Sequence, residues 1–402
     1  MAGGSRLRLG AIGGRYAVLA TTFLVSLFVA GVQIMPASVL TLVMSDLGAT
    51  PTEAGWLVSL TLLMPAVLAL PVGYGLDRFD NRYILALGVF IVVTVNVWAW
   101  KPALRGAFVE LLAVRLATGV GIIMTWVSGA NLVAEAFAEG DTATATGVYT
   151  ASAPLGYVVG QALPPLVANS AGWEANFPVF AAAIGFSGLL FVLTAARTAA
   201  PAPSAGSAGL ADFGRVIRRR AVWIVALMSF VAYSLNLLFN SWMPTYLTEQ
   251  LGYSIEDSGI LVALFPFMGF LARTTGGVVS DRLLDERRRP VPLGSFALTA
   301  PIIVVMAVTE TPLIVVVLLV LSGYFAQMGV GLFYTHVTEL VDEHVAGSAI
   351  AVLTMASFTG GFTAPIIAGW LIERSGSYLT FFLFALGLSA LGVTLTWVVP
   401  EP

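Results

Sequence analysis

Long apolar stretches alternate with short polar breaks along the whole chain, and each stretch is about the length needed to cross a bilayer. A hydrocarbon core of about 30 Å takes about 20 residues of helix at about 1.5 Å per residue. On that measure the sequence predicts twelve crossings, span 1 to span 12, near 17–41, 54–76, 83–100, 107–134, 142–168, 175–196, 221–245, 257–280, 292–308, 312–337, 345–371 and 378–399. The expected fold class is an all-α polytopic membrane protein with twelve transmembrane helices in two pseudo-symmetric six-helix bundles.

The two bundles are expected because the second half of the sequence repeats the first. A constant offset of 204 residues carries Asp77-Arg78 onto Asp281-Arg282, Leu47-Gly48 onto Leu251-Gly252, Gly55 onto Gly259, Glu135 onto Glu339, Gly156 onto Gly360 and Phe177 onto Phe381. Between the halves, Thr198 to Gly209 reads TAAPAPSAGSAG, the composition of a linker, followed by the basic run before span 7. The domain reading is an N-terminal bundle over 1–197, a cytoplasmic linker over 198–220 and a C-terminal bundle over 221–402. Duplicated halves are common in secondary transporters, whose binding sites lie where the repeats meet.

Composition agrees with a chain whose solvent is lipid. Hydrophobic residues make up 58% of it and charged residues 10%, and the mean hydropathy is +0.91. A soluble domain carries far more charge. With no cysteine and two histidines, His336 and His344, the sequence offers no thiolate chemistry and no multi-histidine metal centre. No metal, no cofactor and no nucleic-acid partner is expected; the net charge of −3 is too small to draw one. No nucleophile–base pair stands out, so an enzyme is not expected.

Charge does set an orientation. With the N-terminus inside, fourteen arginines (6, 8, 15, 78, 82, 197, 215, 218, 219, 220, 282, 287, 288 and 289) fall on the cytosolic side, against Lys101, Arg105 and Arg374 outside. The positive-inside rule then places both termini in the cytoplasm, with the cell membrane as the expected location. Arg115 and Arg273 remain, both within spans.

At the end of span 2 stands Gly73-Tyr74-Gly75-Leu76-Asp77-Arg78-Phe79-Asp80-Asn81-Arg82, echoed by Gly277-Val278-Val279-Ser280-Asp281-Arg282. This resembles the loop motif of the major facilitator superfamily, with Asp80 and Asn81 departing from its last part. Arg115-Leu116-Ala117-Thr118-Gly119 resembles that family's fourth-helix arginine motif, with Thr118 where glutamine is familiar. In span 5, Gly156-Tyr157-Val158-Val159-Gly160-Gln161 carries glutamine where antiporters of the family tend to have proline. The resemblance covers essentially the whole chain and implies alternating access through a path lined by spans 1, 4, 7 and 10.

Two sets of candidate residues follow. Asp77, Arg78, Arg82 and Glu135, with Asp281, Arg282 and Glu339, form an expected cytosolic gate in which the acids at the ends of spans 4 and 10 meet the bases of the loop motifs. The alternative is a set of solvated loop charges. Arg115, Arg273, Gln33, Tyr233, Asn236, Asn240, Tyr324 and Gln327 form the expected substrate set, Arg273 because it is a charge at membrane depth and the others because they belong to polar stripes at helical spacing within spans 1, 4, 7 and 10. For both arginines the alternative is a guanidinium held by backbone carbonyls. By helical rise Arg273 lies ~12 Å from the cytosolic end of span 8 and Arg115 ~12 Å below the outer surface.

All 22 acidic residues fall in loops or near span ends, so neither intramembrane arginine has a carboxylate partner in the sequence. An unpaired guanidinium in lipid is expensive, and an anionic substrate would supply the missing charge. The expected function is secondary active transport of a small anion, in keeping with resembled relatives that carry nitrate, nitrite or carboxylates. A proton or sodium ion is the candidate co-transported ion, the bilayer the surrounding partner, and a monomer the expected state. Export of neutral or drug-like compounds stays open, as does a membrane sensor or scaffold without transport.

Overall fold

The computed structural model describes the backbone of residues 2–76, 79–137, 141–195, 214, 216–284, 287–309, 311–342 and 345–401, with side chains throughout except at 2–13, 70–76, 143, 195, 274 and 281. Among these residues the regular structure is helical, with no strand. Eleven helical stretches are long and apolar enough to cross a membrane: Gly14–Leu47, Pro51–Ala69, Asn81–Leu104, Phe108–Ala136, Trp173–Thr194, Arg220–Leu251, Ile255–Val278, Pro290–Val308, Pro312–Glu339, Ala346–Ser375 and Leu379–Val398. They are spans 1–4 and 6–12. Span 5 is a helix pair, Thr142–Thr150 and Ser152–Ala171, broken at Ala151. Its threonines, serines and paired prolines dilute its apolar character. Residues 198–213 and 215 of the expected linker, Asp77, Arg78 and the side chain of Asp281 lie outside the described residues.

The 204-residue repeat reappears as geometry. Gly48 and Gly252 end spans 1 and 7 in the left-handed conformation (φ 61° and 71°), which glycine adopts without strain. Two residues on, Thr50 and Ser254 cap spans 2 and 8, their hydroxyls accepting from the N–H groups of Glu53 and Asp257. At the equivalent loops Trp173 donates to Asp46 (2.8 Å) and Tyr378 to Glu249 (2.9 Å), tying span 6 to span 1 and span 12 to span 7.

In lipid the hydrophobic effect does not drive helix to helix, so close packing and hydrogen bonds must. Among the described residues the two sets of six meet closely at the end away from the arginine clusters, here called the far end. There a Cβ on Gly55 would fall 2.7 Å from the carbonyl oxygen of Pro365, and one on Gly259 2.6 Å from that of Gln161. These contacts are themselves related by the 204-residue offset. They join span 2 to span 11 and span 8 to span 5. A buried cluster running through spans 7–12 takes in Ile34, Leu40, Val58 and Tyr157 from the first six, while a second cluster stays within the first six. Phe90, Phe186, Leu189 and Leu383 face outward, as a lipid-solvated surface requires.

Candidate functional site: the junction of the two halves

Proline explains much of the polar chemistry at the junction. A proline has no N–H, so the helical carbonyl four residues before it loses its donor. Pro36, Pro164 and Pro244 release the carbonyls of Val32, Gly160 and Asn240 in this way. Each is met by a side chain from another span. Arg115 Nη1 donates to Val32 O (2.8 Å), Ser38 Oγ to Gly160 O (3.2 Å) and Gln161 Nε2 to Asn240 O (2.7 Å). The last bond crosses from the first six spans to the second. Asn240 in turn donates to the Asn236 amide oxygen (3.0 Å), so Gln161, Asn240 and Asn236 form one buried chain.

Arg115 is wholly buried and spends its guanidinium on backbone. Beyond Val32 it donates to the carbonyls of Leu57 (2.9 Å), Gln33 and Val58 (3.4 Å). Span 2 tightens into a 3-10 turn at Leu60–Leu62, just where the Leu57 and Val58 carbonyls would otherwise continue the α ladder. The arginine therefore pins span 4 to broken stretches of spans 1 and 2. Of the two readings open for it in the sequence, this geometry is that of the carbonyl-bound arginine, in contrast to Arg273.

Arg273 makes one described hydrogen bond, from Nη2 to the side-chain oxygen of Gln327 on span 10 (3.0 Å). Its Nε is buried without a hydrogen-bond partner, and so is Gln327 Nε2. Both atoms are donors. Tyr157 and Tyr334 lie within electrostatic reach of Arg273, and Tyr233 within reach of both tyrosines. Gln33 donates to the Tyr157 hydroxyl. Gln33, Tyr233, Arg273 and Gln327 thus belong to one neighbourhood that draws on spans 1, 5, 7, 8 and 10. Tyr324 faces elsewhere on the span 8–span 10 contact, its hydroxyl 2.8 Å from that of Thr275.

At the basic end the described ion pairs stay within each half. Arg82 grips Asp80 in a two-pronged pair at 2.7 Å, and Glu135 accepts from Asn81 (3.0 Å) with Arg82 nearby. The Arg82 hydrogen bond, helped by a backbone N–H and by Arg82's charge, holds the Asp80 carboxyl below its ordinary range against the opposing effect of burial. In the second half Glu339 pairs with Arg288 (2.8 Å), which also reaches Ser280, while Arg282 is exposed. In this state the described ion-pair partner of Glu339 is thus Arg288; the meeting with Arg282 is expected of the closed basic end. Arg288 precedes span 9, whose start lies beside the end of span 10. Arg219 pairs with Asp342 in the same half (3.2 Å).

Four contributors escaped the sequence reading of the site. Tyr157 and Gln161 sit inside a glycine stripe that reads as packing, Arg288 sits in a basic run, and Gly269, on which the Gln327 amide packs, has no side chain to notice. A proline four residues after a polar position, as Pro244 follows Asn240, is the signal that would have called for a donor such as Gln161.

Helices that fill a membrane, a repeat related by a constant offset and a polar junction between halves define a polytopic transporter. The comparisons give it a family. The Major Facilitator Superfamily model matches residues 19–365, and the chain belongs to that superfamily. It is a transporter, not an enzyme, and a multi-pass membrane protein. It is similar to the hexuronate transporter of Bacillus subtilis (23% identical, covering 86% of this chain and 85% of that protein). It is also similar to the nitrite extrusion protein of the same organism (21% identical, 88% and 86%). Among solved structures, a bacterial homolog of the human lysosomal transporter Spinster, inward-facing and unoccupied, superimposes with a TM-score of 0.76 over 96% of this chain and 95% of that one, at 16% identity.

Proposed function

We propose that the protein moves a small organic or inorganic anion across the cell membrane by alternating access, with Arg273 as the charge that receives it. The observation that carries this reading is the pair of buried, unpartnered donors, Arg273 Nε and Gln327 Nε2, beside a guanidinium whose described acceptor is a neutral amide. Leaving such donors unpaired costs about 1–3 kcal/mol each. An anion offers both acceptors and the balancing charge. Tyr157, Tyr233 and Tyr334 add hydroxyls for the remainder of a substrate. The similar transporters of a hexuronate and of nitrite, both anions, support the same class.

The arginine distribution supports placing the basic end in the cytoplasm, with both termini there. The far-end closure, with ion pairs kept within each half at the basic end, then corresponds to an inward-facing state. Asp77, Arg78, Arg82, Glu135, Asp281, Arg282 and Glu339 are proposed to regroup when that end closes; Arg82, Glu135 and Glu339 would exchange the partners they have now, Asp80, Asn81 and Arg288. The test is uptake by purified protein in proteoliposomes of D-glucuronate, nitrite and a neutral sugar of similar size. Saturable uptake of an anion and none of the sugar is expected; uptake of the sugar alone would move the neutral-substrate reading ahead.

A further inference from the structure

Gly269 and Arg273 are four residues apart on span 8, so they stand one above the other on a single helix face. Gln327 reaches across from span 10 and covers both. Its amide lies directly on Gly269, where a methyl group would overlap the amide carbon, oxygen and nitrogen together. Its oxygen accepts from Arg273 Nη2 at 3.0 Å. The amide's place thus depends on the missing side chain at Gly269, and one of its atoms is committed.

What remains buried without a partner is one donor nitrogen on each residue, Arg273 Nε and Gln327 Nε2. The hydrogen bond between the two side chains keeps these donors in one neighbourhood and ties the arginine's freely turning end to a fixed point. A guanidinium without that tie has several rotamers, and ordering them is part of the cost of binding. A spherical anion accepts from one point, whereas a carboxylate or nitrite presents two oxygens on one planar centre. Planar oxygen pairs are the partners that forked N–H donors match best.

We propose that Gln327, seated on Gly269, is the positioning residue of the anion site, and that with Arg273 it forms a two-donor fork for the two oxygens of a single planar anion, a carboxylate or nitrite. This rests on the anion-transport reading and names the geometry of the anion that the site takes. Gly269 acts through Gln327 and touches nothing of the substrate. Gln327 orients Arg273 and also donates.

The discriminating substitution is Gln327→Glu. A glutamate keeps the acceptor that orients Arg273, and adds charge to that bond, so a merely structural contact survives or strengthens. It also removes the Nε2 donor and neutralises the guanidinium. The protein should stay folded, with an unchanged or raised melting temperature, yet its affinity for D-glucuronate and for nitrite should fall about tenfold or more. Gly269→Ala asks the same question from behind, because the obstructed group is the end of a flexible side chain that can swing aside. It should raise the KM for either probe about tenfold while leaving the rate at saturation within about twofold, since a charge-assisted hydrogen bond is lost in binding. Chloride uptake, measured beside the two probes, should stay below both in wild type. The experiment is uptake and equilibrium binding of D-glucuronate, nitrite and chloride by the full chain in matched proteoliposomes. Wild-type affinity in both folded variants, or a wild-type preference for chloride, would overturn the inference while leaving anion transport intact. Wild type that carries none of the three anions would overturn the anion-transport reading itself, and the inference with it. D-glucuronate and nitrite are separate arms, so whichever one binds identifies the source of the oxygens.

Discussion

The backbone N–H of Thr52 donates to the carboxylate of Glu373 at 3.0 Å, joining the first turn of span 2 to the last turn of span 11. A carboxylate at a helix N-terminus meets unpaired N–H groups and the positive end of the helix dipole. Here helix and carboxylate belong to opposite halves, so the bond exists only while the far end is closed.

Removing that carboxylate should favour opening of the far end. Spin labels on cysteines at Ser45 and Ser377, exposed positions in opposite halves of a chain without native cysteine, report the separation. Glu373→Ala should enlarge the long-distance population several-fold. An unchanged distance distribution would reduce Glu373 to a surface charge.

The two intramembrane arginines should separate by what their loss damages. Arg115→Leu leaves the carbonyls of Val32, Gln33 and Leu57 without a donor inside the bundle. Stranded buried groups of this kind cost about 1–3 kcal/mol each. A fall in stability of about 3 kcal/mol or more is expected, read as a large drop in melting temperature in detergent. Arg273→Lys should melt near wild type.

At the basic end, Asp80 caps span 3 by accepting from the Arg82 N–H (2.9 Å) and also pairs with the Arg82 side chain. Its folded pKa is depressed below the ordinary value of 3.8. Depression means that the contribution to stability is present above the ordinary value and disappears as the pH falls through the lower, folded one. Asp80→Asn keeps a good capping group and loses the ion pair. The difference in melting temperature between wild type and Asp80→Asn should therefore be small and steady at neutral pH and shrink below about pH 4. A difference that grows on acidification would contradict the pairing.

Orientation has a direct check. Arg105 and Arg218 are exposed at opposite ends of the molecule. In intact cells a cysteine at Arg105 should react with an impermeant maleimide, and one at Arg218 should react only after permeabilisation. Reaction of both from the same side would contradict the placement of the basic end in the cytoplasm.

The twelve-span layout and its repeat were readable because both are linear properties of the chain: bilayer thickness sets the length of each apolar stretch, and equal loops leave equal signals. The offset pairs Gly48 with Gly252, and their shared left-handed turns are the physical reason for that pairing. Span 5 is the exception: its helix breaks at Ala151, where Pro154 leaves the Thr150 carbonyl without its helical donor, and its length alone does not show that break. The site was less legible. Arg115 and Arg273 are the same residue in similar surroundings of sequence, and what separates them is whether donorless carbonyls lie within reach. Pro36 helps to create one for Arg115, from a span 83 residues away from it along the chain. The partner of Glu339 was hidden for a similar reason: Arg282 and Arg288 stand in the same basic stretch, and the approach of span 9 to span 10 decides between them.

The central claim is that Arg273 receives the substrate's negative charge through forked N–H donors. Counterflow of D-glucuronate and of nitrite in matched proteoliposomes, wild type against Arg273→Lys, tests it most directly. Lysine keeps the charge but lacks the fork. The expected result is a correctly inserted, normally melting Arg273→Lys protein whose anion flux falls about tenfold or more. Equal flux and affinity in the two proteins would contradict the account.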